Sequence, residues 1–368
     1  MSTKTALYIR DFDWFILFLA LAICVVGIVE IHSATQFQKG GKFYLQPMYK
    51  QIYWVGLGLF LLVLVVSIDY HTICENVPYI YILSNVALLG VLAIGQRVSG
   101  SKSWVAIGAF KIQPSEFVKI AIILTLARFL GEIRTEYLSG RDIIKAGILM
   151  GIPFGLVLLQ PDLGSAITYV PILVVGLFLG GLRPRWIFTS VILFSLAVGL
   201  GWYNLKDYQK DRIYTFINPE SDPLGRGYHA IQSKIAVGSG GVLGKGIGKG
   251  SQTNLGFLPE RQTDFIFSVI GEELGFIGTL GVLTSFFLIV MRSIHIAQTS
   301  RDKLGIYITL GAVSVLLFHI FENIGMVVGI MPITGIPLPL LSYGGSSILS
   351  TFVLLGLIIN VRMRRYVN

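Results

Sequence analysis

Residues 258–291 read LPERQTDFIFSVIGEELGFIGTLGVLTSFFLIVM, a polar turn running directly into a stretch, Phe265 to Met291, whose only charges are Glu272 and Glu273. Crossing the bilayer core takes about 20 mostly apolar residues, so this stretch is long enough to span and carries its carboxylates near one end. The same signature recurs outward from it, at 14–32, 52–68, 79–95, 116–130, 143–160, 163–182, 186–203, 265–291, 305–330 and 346–361. The predicted fold is an all-α polytopic membrane protein of about ten transmembrane helices, one membrane domain over 1–368, with a large extracytoplasmic loop, 204–263, between spans seven and eight. The fourth span is the least apolar, because Glu116, Lys119 and Arg128 fall within it. No small-residue cleavage site follows the first span, which therefore reads as a retained anchor.

Composition excludes the main alternatives. Only 13% of the 368 residues are charged while 54% are hydrophobic, and a soluble domain carries roughly 25% charged residues. A mean hydropathy of +0.73 agrees. Cys24 and Cys74 lie in an apolar run and beside a short loop, and read as unpaired. The net charge of +9 suits a protein bordering anionic headgroups. No basic block with interleaved aromatics occurs, so nucleic acid is not an expected partner. With the N-terminus inside, the inner segments hold 13 Lys and Arg and the short outer loops 6. This bias places both termini in the cytoplasm. The long loop carries eight more on the outer side, and long loops cross largely regardless of charge.

The long loop is too long for a plain connection. Tyr228, Ile231 and Ile235 recur at helical spacing with Gln232, Ser233 and Lys234 opposite, which predicts a short amphipathic helix over 228–237 at the interface. Gly238 to Gly250 follows, with seven glycines in thirteen residues and Lys245 and Lys249 among them. Bare backbone amides and two cations can cradle a phosphate, and a flexible interfacial loop explains the composition equally well. A nucleotide P-loop is excluded, since neither lysine is followed by Ser or Thr.

Asp264 stands where this loop meets the eighth span. It could cap the helix, as could Thr263; alternatively, a carboxylate at the water boundary could serve as a general base. Glu116 and Lys119, three residues apart, can pair on one helix face, either to fix helix register or to line a site. Asp162, in Gln160-Pro161-Asp162-Leu163-Gly164, could cap the sixth span or belong to a site. Glu272 with Glu273, and His319 with Glu322 and Asn323, read as a cavity lining or a buried network. Pro332, Pro337 and Pro339 with Gly329, Gly335, Gly344 and Gly345 forbid continuous helix between spans nine and ten, so irregular backbone there must face protein or a wet cavity. Ser342, Ser346 and Ser347 offer hydroxyls in the same region.

Five motifs occur together in a fixed order: Gln113-Pro114-Ser115-Glu116-Phe117-Val118-Lys119; Gln160 to Gly164; Gln232 to Gln252; Leu258-Pro259-Glu260 with Thr263-Asp264-Phe265-Ile266-Phe267; and Pro337 to Ser347. In this the chain resembles the SEDS family of shape, elongation, division and sporulation proteins over nearly its whole length. Glu260 to Asp264 and Asn218 to Pro223 are more similar to the elongation member than to the division member. The resemblance implies a peptidoglycan glycosyltransferase of the bacterial cytoplasmic membrane. It would polymerise lipid II into β-1,4 glycan strands on the outer face during cell elongation and cell-shape maintenance.

Within that resemblance Asp264 matches the catalytic aspartate, and Trp104, Glu116, Lys119 and Asp162 match positions regarded as important; Glu260 and Ser342 fall in its motifs and would support the site. An α-linked donor and a β-linked product require one inverting displacement and one base, a role for Asp264. The leaving pyrophosphate needs positive charge, for which Lys119, Arg212, Lys234 and Lys245 are the candidates. A divalent cation could share that task, but no ligand cluster supports predicting a metal or any other cofactor. A groove between the fourth span and the 228–237 helix would admit the polyprenyl tail. The implied partners are a class B penicillin-binding protein acting as transpeptidase, lipid II, the nascent glycan strand and other elongation-complex proteins. A lipid II flippase and a structural scaffold are the rival readings, since intramembrane charges and a broken segment also suit a transporter.

Overall fold

The computed structural model describes residues 11–36, 46–98, 101–108, 110–186, 188–189, 210, 214–221, 225–258 and 260–365. Among them the helices are α1 (Trp14–Thr35), α2 (Pro47–Ser67), α3 (Tyr70–Glu75), α4 (Val77–Ile94), α5 (Ser115–Gly131), α6 (Gly140–Leu159), α7 (Leu163–Ile167), α8 (Val170–Leu179), α9 (Arg226–Ser239), α10 (Ser251–Asn254), α11 (Ile266–Gln298), α12 (Lys303–Val328) and α13 (Gly345–Arg364). Seven of these, α1, α2, α4, α6, α11, α12 and α13, are long and apolar enough to cross a membrane. The expected fourth span is the 17-residue α5. The expected sixth is divided into α7 and α8, because Pro171 in the first turn of α8 offers no amide to the turn before it. The seventh, 186–203, lies almost wholly outside the described residues.

The centre of the bundle is α13, with 89% of its apolar window buried against 17% for the peripheral α4. It packs along α2, and α12 packs on α5, α8 and α11. Polar residues inside the spans close helix ends that lipid cannot solvate. From α13, Asn360 Nδ2 donates to Val65 O and Ile68 O, both at 2.6 Å, and Arg364 Nη1 to Val66 O at 3.1 Å, capping α2. Arg128, the basic residue in the fourth span, donates to Cys74 O and Glu75 O at the end of α3. At the same end of α13 Asp13 accepts from Ile16 N at 3.2 Å and pairs with Arg292 and Arg362, tying α1 to α11 and α13.

Two features depart from the simple helical reading. Residues 96–112 form an antiparallel meander, β1 (Gln96–Val98), β2 (Ser101–Ile107) and β3 (Phe110–Ile112), with Gln96 opposite Trp104 and Val105 opposite Ile112. Lys102 Nζ reaches from it to Leu92 O and Ala93 O, capping α4. The all-α description therefore holds for the spans and not for this connection. The second feature is a break in α11 at Gly275 (φ 66°, ψ −160°). The glycine-rich loop fills the break with backbone. Lys245 N and Gly246 N donate to Glu272 O and Glu273 O below it, and Phe276 N and Ile277 N donate to Gly241 O and Val242 O above it. Glycine is required at 275 twice over: the conformation is one that side chains rarely adopt, and a Cβ would lie 2.3 Å from Gly244 N.

Candidate active site

Asp264 sits in a turn, 260–265, immediately before α11. The amides of Thr263, Asp264 and Phe265 converge on Glu260 O at 3.1, 3.1 and 3.3 Å. Glu260 itself is exposed and holds φ 45°, a left-handed value uncommon outside glycine. The N-cap residue of α11 is Phe265, and no side chain caps that helix. Thr263 Oγ1 turns back to Glu260 O and Oε2 instead, at 3.1 and 3.3 Å. Thr263 therefore does not cap α11. The next residue after Glu260, Arg261, donates to Thr253 O, and burial lowers its guanidinium from its usual range without discharging it.

Facing this turn is the irregular segment 329–344, described here as the strap. It is fixed to α12 by three side chains one turn apart: His319 Nδ1 lies 3.2 Å from Pro337 O, Glu322 Oε1 accepts from Thr334 Oγ1 at 2.6 Å, and Asn323 Nδ2 donates to Ile336 O at 2.8 Å. The strap in turn grips the Asp264 turn. Tyr343 N donates to Gln262 O at 2.9 Å, Ser342 Oγ to Thr263 O at 2.6 Å, and Asn323 Nδ2 also to Asp264 O at 2.9 Å. Ser342 is thus buried and occupied with backbone, accepting from Leu338 N as well. Gly335, at φ 78°, lies against the Asp264 carboxylate, with Oδ2 3.3 Å from the place a Cβ would occupy.

Glu116 and Lys119 lie behind the strap. Their ion pair, 2.7 Å long, has both side chains almost fully buried. Lys119 Nζ is 3.2 Å from His319 Nε2, and Ser350 Oγ donates to Glu116 Oε2 at 3.0 Å. The pair ties α5, α12 and α13 together, and its charge is neutralised internally. Asp162 caps α7, accepting from Ser165 N at 3.1 Å, and takes a further bond from Gln113 Nε2 at 2.8 Å. Trp104 is half-buried in β2. Arg212 lies outside the described residues.

The phosphate-cradle reading of the glycine-rich loop does not survive. Its donors are taken by two fully buried carboxylates of α11. Glu272 accepts from Lys245 Nζ (2.8 Å), Gln252 N (2.8 Å), Thr253 N (3.1 Å) and Thr253 Oγ1 (2.8 Å). Glu273 accepts from Gly248 N at 2.8 Å and from Ser33 Oγ of α1. Among the described candidates for holding an anion, Lys119 and Lys245 are therefore committed to carboxylates. Lys234 is exposed, on α9, and makes no hydrogen bond among the described residues. Its side chain passes over Gly329, at the mouth of a cleft of about 390 Å³ lined by Thr215, Phe216, Ala230, Met326 and Pro332.

The expected groove also moves. The amphipathic helix exists, as α9, but it packs on α11 and α12 rather than on the fourth span, with Ser233 Oγ donating to Val327 O at 2.9 Å. Among the described residues no group of three or more His, Cys, Asp or Glu could hold a metal ion. Two parts of the site were not identified from the sequence: the double bond made by Asn323 and the bare face of Gly335. Asn323 was visible only as a polar residue misplaced in a span.

Comparison with known proteins places this geometry in context. A family model described as cell cycle protein, built on FtsW, RodA and SpoVE, matches residues 13–367. The chain is 39% identical over 351 residues to the peptidoglycan glycosyltransferase MrdB of Escherichia coli K12, covering 95% of this chain and 93% of that one. It is 35% identical to the peptidoglycan glycosyltransferase RodA of Treponema pallidum, covering 97% and 99%. Among solved structures it is similar to a chain from work on the coordination of polymerization and crosslinking by a peptidoglycan synthase complex, with TM-score 0.83, 33% identity, and 97% and 99% coverage. The rod shape determining protein RodA of Thermus thermophilus matches with TM-score 0.72, 29% identity, and 96% and 98% coverage.

Proposed function

Because the chain belongs to the FtsW, RodA and SpoVE family and is a multi-pass membrane peptidoglycan glycosyltransferase, we propose that it polymerises lipid II with Asp264 as its general base. The acceptor sugar hydroxyl attacks the anomeric carbon of the donor, the bond from that carbon to the pyrophosphate oxygen breaks, and Asp264 takes the hydroxyl proton. One inversion converts the α-linked donor into a β-1,4 strand without a covalent enzyme intermediate. A positioned base contributes about 10²- to 10⁴-fold to such a step.

The observation that carries this reading is the build of the Asp264 turn. Its three carbonyls, 262 to 264, are each gripped by a separate donor, and its carboxylate lies against a residue with no side chain. That is the preorganisation a base requires. Lys234 is the cation assigned to the departing pyrophosphate, because it has no carboxylate partner among the described residues and lines a mostly apolar cleft. Asp264 and Lys234 flank the same stretch of strap, at Gly335 and Gly329. A polar headgroup with a polyprenyl tail suits a cation beside an apolar cleft that opens between α9 and the end of α12.

The charge bias of the connections supports an active site on the outer face, with both termini inside. Crosslinking is assigned to a class B penicillin-binding protein partner, in keeping with the similarity to a chain from a peptidoglycan synthase complex in which polymerization and crosslinking are coordinated. Purified protein reconstituted with that partner on lipid II tests the reading. Glycan polymer is expected from the wild type and none from folded Asp264→Ala. Polymer of undiminished yield from that variant refutes the assignment, and lipid II scrambling that ignores the change points to a transporter.

A further inference from the structure

We infer that Asn323 is the positioning residue of the general base, acting by joining the backbone that carries Asp264 to the backbone that faces it. This rests on the reading of Asp264 given above. Of the donors that grip the turn, Tyr343 N and Ser342 Oγ belong to the strap and act at Gln262 and Thr263. Asn323 acts at Asp264 itself, with Nδ2 2.9 Å from Asp264 O. The same nitrogen lies 2.8 Å from Ile336 O. Ile336 follows Gly335, the residue against which the carboxylate rests. One amide group thus fixes both walls of the position in which the carboxylate stands.

The chemistry sets the orientation of this amide. Both partners are carbonyl oxygens, so both require N–H, and Nδ2 supplies its two hydrogens to them. The other end of the side chain is left over. Asn323 is fully buried, and its Oδ1 has no hydrogen-bond partner among the described residues. Buried polar atoms are usually satisfied. A buried residue in the last two turns of α12 with one atom unsatisfied is a local inconsistency of the kind that occurs at functional sites. His319 and Glu322, on the same helix face, reach the strap at Pro337 and Thr334 instead. Without the amide, Asp264 O and Ile336 O lose their shared donor, and the turn is held to the strap only upstream of Asp264, at Gln262 and Thr263, so that Asp264 can shift against Gly335. A displacement of about 1 Å at such a site can cost about 10²-fold.

The test uses the partnered protein on lipid II, with rates expressed per lipid II-binding molecule. Asn323→Leu, which keeps the volume and removes the donors, is expected to lower kcat about 10- to 100-fold with KM within about threefold. Asn323→Asp, which keeps the shape and the buried oxygen, carries the same expectation at neutral pH should the leucine variant fail to fold. A purely structural residue would lower the number of binding-competent molecules and leave kcat per such molecule unchanged. Wild-type kcat per binding molecule in either folded variant, or a loss confined to KM, overturns the inference. Asp264→Asn is run alongside. Full activity there refutes the general base itself and removes the inference with it, whereas an inactive Asp264→Asn beside an unimpaired Asn323→Leu refutes the positioning role alone.

Discussion

The glycine-rich loop, 238–250, fills the break in α11 and the strap, 329–344, joins α12 to α13, and both look from composition like irregular backbone that could face a ligand. They are held in opposite ways. The loop brings Lys245 and a set of amides onto Glu272 and Glu273, so that charge meets charge inside the fold and the break in α11 is sealed. The Asp264 turn meets neutral donors instead, Ser342 Oγ and Tyr343 N of the strap and Asn323 Nδ2 of α12, which act on its carbonyls. The turn is thus bound through its backbone carbonyls, with the Asp264 carboxylate set against Gly335. A basic, glycine-rich segment is therefore a poor indicator of an anion site when a carboxylate pair of the same chain can reach it.

Substitutions can break this contrast, beginning with the largest effect. Gly275→Ala combines a conformation reserved for glycine with a Cβ 2.3 Å from Gly244 N. Strain and overpacking together are expected to cost roughly 3–5 kcal/mol, seen as loss of the folded peak in size-exclusion chromatography. Next comes Lys245→Met, which leaves Glu272 buried without its cation. About 2–3 kcal/mol of stability should be lost, a range discounted because Lys245 is 28% exposed. Adding Glu272→Gln should recover at least half of the lost melting temperature, because the carboxylate that needed the cation is gone.

Ser342→Ala strips the hydroxyl that serves Thr263 O and Leu338 N. It should cost about 1–2 kcal/mol in thermal melts and lower the polymerisation rate, a combination that Lys245→Met followed by repair should not produce. The smallest effect belongs to Glu30 of α1, one turn before Ser33. It is fully buried with neither oxygen hydrogen-bonded among the described residues. Glu30→Gln should change stability by no more than about 1 kcal/mol, and in the favourable direction, since an unpaired buried carboxyl contributes nothing that an amide lacks. A melting temperature lowered by many degrees would reveal a role for that carboxylate which the contrast omits.

The spans were legible in the sequence because each is a long apolar run, and nine of the ten expected coincide with described helices. Their polar residues were legible only as anomalies. Nothing local says that Arg128 caps α3 or that Asn360 caps α2, since the capped carbonyl of Val65 is 295 residues from Asn360. The meander at 96–112 was missed because its strands are too short to impose a period-two pattern on a loop rich in polar residues. Asp264 could be singled out by its place at a helix mouth and by resemblance. Its supports could not, because Asn323 and Ser342 reach the turn from 59 and 79 residues away. The loop misled for the same reason: Ser33, which completes the Glu273 site, lies 240 residues from it in the chain.

The most direct measurement sets the two regions side by side, as lipid II polymerisation per folded molecule in the partnered complex. Asp264→Asn is expected to fall below about 1% of wild type, in line with the roughly 10²- to 10⁴-fold contribution of a positioned base. The Lys245→Met, Glu272→Gln double variant is expected to polymerise at close to the wild-type rate once folded. Polymer from Asp264→Asn, or a folded double variant as inactive as Asp264→Asn, would contradict the division of the outer face into a sealed loop and a working turn.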